Sequence, residues 1–141
     1  VITEGQQYQH IAHIQYKYKA ISGFHTQTRI KGFEVDLKYL RLMPNGNLHI
    51  KAGYACDGCS GPTMDDDSNI HAGFAHDGLY QLLRLGKLAV SKKDFDKVRK
   101  LADLSFRDQL KRDGMPWFRR NYYYWGVRAG GKKHALPRGE A

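Results

Sequence analysis

Gly53-Tyr-Ala-Cys-Asp-Gly-Cys-Ser-Gly-Pro-Thr-Met-Asp-Asp-Asp-Ser-Asn-Ile-His-Ala-Gly-Phe-Ala-His-Asp-Gly-Leu-Tyr80 divides the chain into two kinds of sequence. Before it, apolar residues recur at every second position; after it, they recur at helical spacing. Upstream, Tyr8 to Ile21 contains the alternation Ile14-Gln15-Tyr16-Lys17-Tyr18-Lys19. Phe33 to Leu42 alternates almost throughout, and Leu48-His-Ile-Lys-Ala resumes the pattern after Pro44-Asn45-Gly46-Asn47. A turn signal between two alternating runs predicts a β-hairpin. Downstream, Ser68 or a preceding Asp is placed to cap a helix that runs to about Leu85 and stops at Gly86. Ser91-Lys-Lys-Asp94 opens a second helix with Phe95, Val98, Ala102, Phe106 and Leu110 near one face, ended by Gly114 and Pro116. A third is predicted from about Trp117 to Ala129.

The expected fold class is therefore α+β: a small N-terminal antiparallel sheet, then three helices, the first two forming an antiparallel hairpin. A length of 141 residues suits one domain with one core. Within it, residues 1–52 read as mainly β, 53–67 as a Gly/Asp-rich loop, 68–130 as helical and 131–141 as a basic, mobile tail. No stretch approaches the roughly 18 apolar residues of a membrane span. The start Val-Ile-Thr-Glu-Gly has neither a basic nor an apolar region, so no signal peptide is expected. Two cysteines exclude a disulfide-rich scaffold and leave the redox compartment open.

Charge is distributed unevenly. The chain carries a net +9, made of +3 over residues 1–50, −4 over 51–80 and +10 over 81–141. An acidic island inside a basic protein suits a cation site or a solvated loop. The basic surface favours polyanions, whether nucleic acid or an anionic envelope. Arg119-Arg-Asn-Tyr-Tyr-Tyr-Trp-Gly-Val-Arg128 interleaves cations with aromatics, a pattern that stacks on bases, sits at a lipid interface, or simply packs a helix. Three consecutive tyrosines cannot share one helix face, so part of this run is expected to be exposed or to meet a partner.

The dividing stretch itself carries chemistry. Glycines at 53, 58 and 61 let the backbone turn and present carbonyl oxygens, which together with a carboxylate are the ligands a hard cation such as calcium takes. His76 and Asp77 diverge by about 100° around a helix, so one can act on protons while the other holds a metal. His76 and Asp103 are centred on the loop between the first two helices. An antiparallel hairpin therefore brings them level, and Asp103 can fix the imidazole tautomer while the other ring nitrogen takes a proton from water. Ala72 and Gly73 leave space beside His76. A competing pattern, Cys56-x2-Cys59-x11-His71-x4-His76, nearly matches a zinc finger. Three consecutive Asp and a Pro lie where a finger places its apolar residues, and His71 and His76 stand about 140° apart on a helix. A structural role for both thiols is the plainer reading.

At these residues the sequence resembles two families. Tyr54-Ala-Cys-Asp-Gly-Cys-Ser-Gly-Pro, His76-Asp77-x-x-Tyr80 and Ala102-Asp103-x-x-Phe106 look like the active-site skeleton of secreted and viral phospholipases A2. That resemblance implies His76 as general base, Asp103 as its orienter, Tyr80 as support for Asp103, and Asp77 as calcium ligand. It also implies backbone ligands from the 54–61 loop, among them Tyr54, Cys56 and Gly58. Asp57-Gly-Cys-Ser-Gly-Pro-Thr, His76-Asp-Gly-Leu-Tyr-Gln, Ala102-Asp-x-x-Phe-Arg-Asp, Asp113-Gly-Met-Pro and Tyr124-Trp-Gly-Val-Arg resemble a small domain family of uncertain function encoded mainly by tailed bacteriophages. Together the resemblances imply a phage-encoded, calcium-dependent lipid-ester hydrolase. The alternative is a virion or assembly protein that contacts DNA, phage structural proteins or an anionic envelope through its basic C-terminal helix. Virion or infected bacterial cell is the expected location.

Overall fold

The computed structural model describes residues 8–10, 18–56, 70–88 and 91–136. Among the described residues, seven short strands precede four helices. Strands β1 (Tyr8–His10), β2 (Tyr18–Ala20) and β7 (Ala55–Cys56) form one antiparallel sheet in the order β1-β2-β7. Strands β3 (Phe24–Gln27), β4 (Val35–Asp36), β5 (Leu40–Leu42) and β6 (Asn47–Ile50) form a second, in the order β3-β6-β5-β4. The helices are α1 (Ile70–Arg84), α2 (Lys92–Arg112), α3 (Trp117–Gly130) and α4 (Lys132–Ala135). The expected α+β class holds.

The hairpin about Pro44–Gly46 forms as predicted, with Leu42 opposite Leu48 and Leu40 opposite Ile50. Gly46 N–H and Met43 N–H close it on Met43 and Asn47 carbonyls at 2.9 Å each. The alternation from Phe33 to Leu42 is two strands, not one. Leu37 N–H donates to Leu40 O at 2.7 Å, so the chain reverses through Lys38 and Tyr39 and pairs Val35 with Leu42. Residues 8–21 likewise contribute two paired strands, with Tyr8 opposite Ala20. Ala55 and Cys56, expected in a loop, pair with β2.

Phe24, Leu40, Leu42, Leu48 and Ile50 turn one face of the second sheet onto α1, where Ile70, Phe74, Leu79 and Leu82 meet them. The close approach is at Gly78: a Cβ there would stand 3.0 Å from Leu40 Cδ2 and 3.4 Å from Ile50 Cδ1. Ten of the fifteen residues of α1 are buried, which makes it the central helix, covered on both sides. Helix α2 joins the sheet by its flank, where Arg29 N–H donates to Ser105 Oγ at 2.8 Å and the Arg29 guanidinium bonds both oxygens of Asp108.

The helix ends follow their sequence signals. Gly86 takes a φ of +72°, and the Lys87 and Gly86 N–H groups bond Leu82 and Leu83 carbonyls at 3.0 Å each, a Schellman closure. Gly114 closes α2 in the same way through Met115 and Leu110. Ser91 caps α2 by accepting from Asp94 N–H at 3.2 Å, and Phe95, Val98, Ala102, Phe106 and Leu110 are all buried as expected. The cap proposed at Ser68 lies outside the described residues. The expected mobile tail contains α4, a fourth helix. Ala135 is buried, and Arg84 donates to His134 O at 2.8 Å, so the tail is anchored through residue 136.

Candidate active site

The pairs His76–Asp103 and Tyr80–Arg99 are both centred between residues 89 and 90, so α1 and α2 run antiparallel with these residues level. His76 Nε2 lies 2.7 Å from Asp103 Oδ1, and Tyr80 Oη donates to the same oxygen at 2.7 Å. Arg128 Nη1, from α3, donates to Asp103 Oδ2 at 2.8 Å. Arg99 Nη2 stands 4.0 Å from Oδ2, while its Nε donates to Tyr80 Oη at 3.2 Å. Arg99 also bonds the carbonyls of Val127 and Arg128 at 2.9 Å each. These belong to the last turn of α3, where Val127 O also accepts from Gly131 N–H at 2.8 Å and where the helix end favours a cation. One carboxylate thus gathers α1, α2 and α3.

Asp103 is fully buried, and His76 keeps 14% of its side chain exposed. Burial pushes the Asp103 carboxyl up, but the hydrogen bond and the charge of His76, with hydrogen bonds from Tyr80 and Arg128, outweigh it and hold the group below the ordinary carboxylate value. Asp103 is therefore ionised at neutral pH. Burial first, then the Asp103 charge, push the Tyr80 phenol far above its ordinary value, so Tyr80 remains a donor. The imidazole of His76 is wedged between Tyr80 and Phe106, with ring centroids 4.1 and 4.9 Å away. Its Nδ1 has no hydrogen-bond partner among the described residues. A neutral His76 that donates from Nε2 to an ionised Asp103 presents Nδ1 as a lone-pair acceptor. This is the arrangement a general base on water requires.

The space expected beside Ala72 is filled. Ala72 packs with Phe106, Leu110, Met115, Tyr123 and Val127, because α3 folds back over α1 and α2. The opening at His76 therefore does not run along that side.

Asp77 points elsewhere, as its helix position requires, and accepts from Tyr54 Oη at 2.8 Å. The Tyr54 carbonyl, expected as a cation ligand, accepts from Ala20 N–H at 2.8 Å. Tyr54 thus meets Asp77 through its hydroxyl, and its carbonyl is engaged by β2. Cys56 lies opposite Tyr18 in the same ladder. Gly58 and Cys59 lie outside the described residues. His71 packs edge-on against Phe24 at 4.9 Å, while His76 bonds Asp103, so the two imidazoles of the zinc pattern serve different neighbours. Among the described residues no three His, Cys, Asp or Glu side chains gather as a metal site.

Sequence reading did not assign roles to Arg99 and Arg128. Arg99 was recoverable: it lies one helical turn before Asp103 and level with Tyr80. Arg128 was not, since the packing of α3 is set by contacts far apart in sequence. No helix among the described residues is long and apolar enough to cross a membrane. Compared with family models, curated proteins and solved structures, the chain matches none.

Proposed function

We propose that this chain is a hydrolase of phospholipase A2 type, in which His76 activates water for attack on a lipid ester. The observation that carries the reading is the 2.7 Å contact between His76 Nε2 and an ionised, fully buried Asp103, which leaves Nδ1 to take the proton. Asp103 is the orienting residue, and Tyr80 and Arg128 position it. Water supplies the nucleophile, so no Ser or Cys attacks. As the proton moves to Nδ1, the imidazolium is held by Asp103 and returns the proton to the departing alcohol.

Asp77 offers the hard oxygen that calcium takes, and in this reading Asp77 would hold calcium with backbone oxygens of the 54–61 loop. Bound calcium would polarise the ester carbonyl and stabilise the oxyanion.

Calorimetric titration with calcium, on the native chain and on Asp77→Ala, tests the cation. Release of fatty acid from phospholipid vesicles, with His76→Ala as control, tests the chemistry. Binding lost in Asp77→Ala and turnover lost in His76→Ala are expected. Turnover unchanged in His76→Ala would refute the assignment.

A second reading is favoured by one observation, the joining of α1, α2 and α3 through Asp103. In it the cluster only braces the fold, and the chain is a phage virion or assembly protein whose basic helix meets DNA, structural proteins or an envelope. A folded native chain without ester hydrolysis under any calcium concentration supports that reading.

A further inference from the structure

Helix α3 buries Tyr123, Tyr124 and Val127 and turns a different set of aromatics outward. Trp117, Phe118, Tyr122 and Trp125 are 69%, 71%, 57% and 65% exposed. Phe118, Tyr122 and Trp125 fall within about 60° of one another around the helix, and Trp117 opens its first turn. With about 200 Å² per aromatic side chain, the patch exposes on the order of 500 Å², at the upper end of what a monomer leaves to water. Core packing does not need these rings, because the opposite face of α3 already fills the core.

Charge identifies what covers the patch. From residue 114 to residue 136 the chain carries Arg119, Arg120, Lys132 and Lys133, besides Arg128, which is committed to Asp103, and no Asp or Glu. Lys132 and Lys133 are exposed just beyond the end of α3. Aromatic rings flanked by cations match the headgroup region of a bilayer, where Trp and Tyr place apolar bodies against acyl chains and cations reach phosphates. The rings stand together on the outer face of one helix, an arrangement suited to a planar surface rather than to the groove that tracks a single nucleic-acid strand.

We propose that the outer face of α3 docks on an anionic phospholipid surface, with Trp117, Phe118, Tyr122 and Trp125 seated at the headgroup level. This deepens the hydrolase reading by naming the surface that brings it to its substrate, and it rests on that reading only for the link to turnover. Trp125 lies one turn from Arg128, which holds Asp103, so the docking face and the candidate site share one helix.

The chain's two tryptophans are Trp117 and Trp125, so tryptophan fluorescence, excited selectively over the tyrosines, reports on this face alone. The test is titration with vesicles of ether-linked phosphatidylglycerol and phosphatidylcholine, which lack the ester bond, and with phosphatidylcholine alone. A blue shift, and quenching by brominated lipid, are expected on the anionic vesicles. Phe118→Ser with Tyr122→Ser, both surface changes that retain the tryptophans, should weaken partition by about tenfold. Absence of any shift on anionic vesicles overturns the proposal. So does an equal affinity of the double variant, or a shift produced only by single-stranded DNA or by self-association. Because binding is read on uncleavable lipid, docking without turnover on ester lipid refutes the hydrolase and leaves the docking face standing.

Discussion

Replacing Asp103 by Asn keeps the side-chain shape and removes the charge on which three helices converge. Oδ1 accepts from His76 and Tyr80, and Oδ2 accepts from Arg128. An amide has one acceptor oxygen. If it faces His76 and Tyr80, the amide N–H groups face the Arg128 guanidinium, donor against donor. If it faces Arg128, the NH2 points at His76 Nε2 and drives the imidazole to the tautomer with hydrogen on Nδ1. The second arrangement is the less costly, and it removes the acceptor that the proposed reaction needs. In both, the buried Arg99 loses the negative charge 4.0 Å away. Removing one partner of a buried ion pair costs about 3–5 kcal/mol, and the partial exposure of Arg128 places this case near about 3. For a chain of 141 residues that is a fall in melting temperature of about 10 °C. The carboxyl sits below its ordinary value in the fold. Its contribution is therefore complete above the unfolded value of about 4 and is lost as pH falls through the lower folded value. The gap between native and variant should narrow as pH is lowered from neutrality into that range. Thermal unfolding across pH measures the gap, and imidazole nitrogen shifts report the tautomer. A melting temperature within about 3 °C of native at neutral pH, near 1 kcal/mol, would refute the reasoning. An unchanged gap in acid would refute the linkage.

Two more perturbations probe the same cluster. Gly131→Ala places a Cβ 2.5 Å from Val127 O and 2.8 Å from Tyr80 Oη. A backbone oxygen cannot yield, so we expect about 1–3 kcal/mol of destabilisation in urea titration and a weakened hold on Asp103. Tyr80→Phe removes one donor from a buried carboxylate and should cost about 1–2 kcal/mol near neutral pH. The folded phenol is raised, so its stabilising contribution is present below about pH 10 and is lost as pH rises further. Denaturation curves at neutral and alkaline pH should therefore converge for native and variant; a gap that widens with pH would contradict the assignment.

Much of the fold was written locally. The Pro44–Gly46 turn, the Ser91 cap and the glycine stops at 86 and 114 each act within a few residues, where sequence and geometry coincide. The strand break at Lys38–Tyr39 was also written there. Phe33, Val35, Leu37 and Tyr39 keep one phase, and Leu40 and Leu42 take the other. That slip marks the reversal, because a continuous strand would have sent Leu40 and Leu42 to the opposite face. Strand β3 was harder to see, since Thr26 occupies an inward position between Phe24 and the loop. The level placement of His76 and Asp103 followed from hairpin symmetry alone. The filling of the space by Ala72 did not, because the side chains that fill it come from α3.

The same dependence on α3 makes the candidate site a property of the whole helical layer. A His–Asp pair held by two helices would shift with every change in their spacing. Here Arg128 fixes Asp103 from a third helix, and Arg99 ties the end of that helix back to Tyr80. Gly131 lets the chain pass against the Tyr80 hydroxyl before α4 packs Ala135 into the core. Four donors or cations from three helices therefore converge on one carboxylate, and moving any helix alone breaks at least one contact. Buried polar groups of this kind tolerate few alternative packings, because each leaves an unpaired charge. The aromatic face of α3 is carried by the same rigid layer. Arg128, which holds the carboxylate that orients His76, stands one turn beyond Trp125 on that helix.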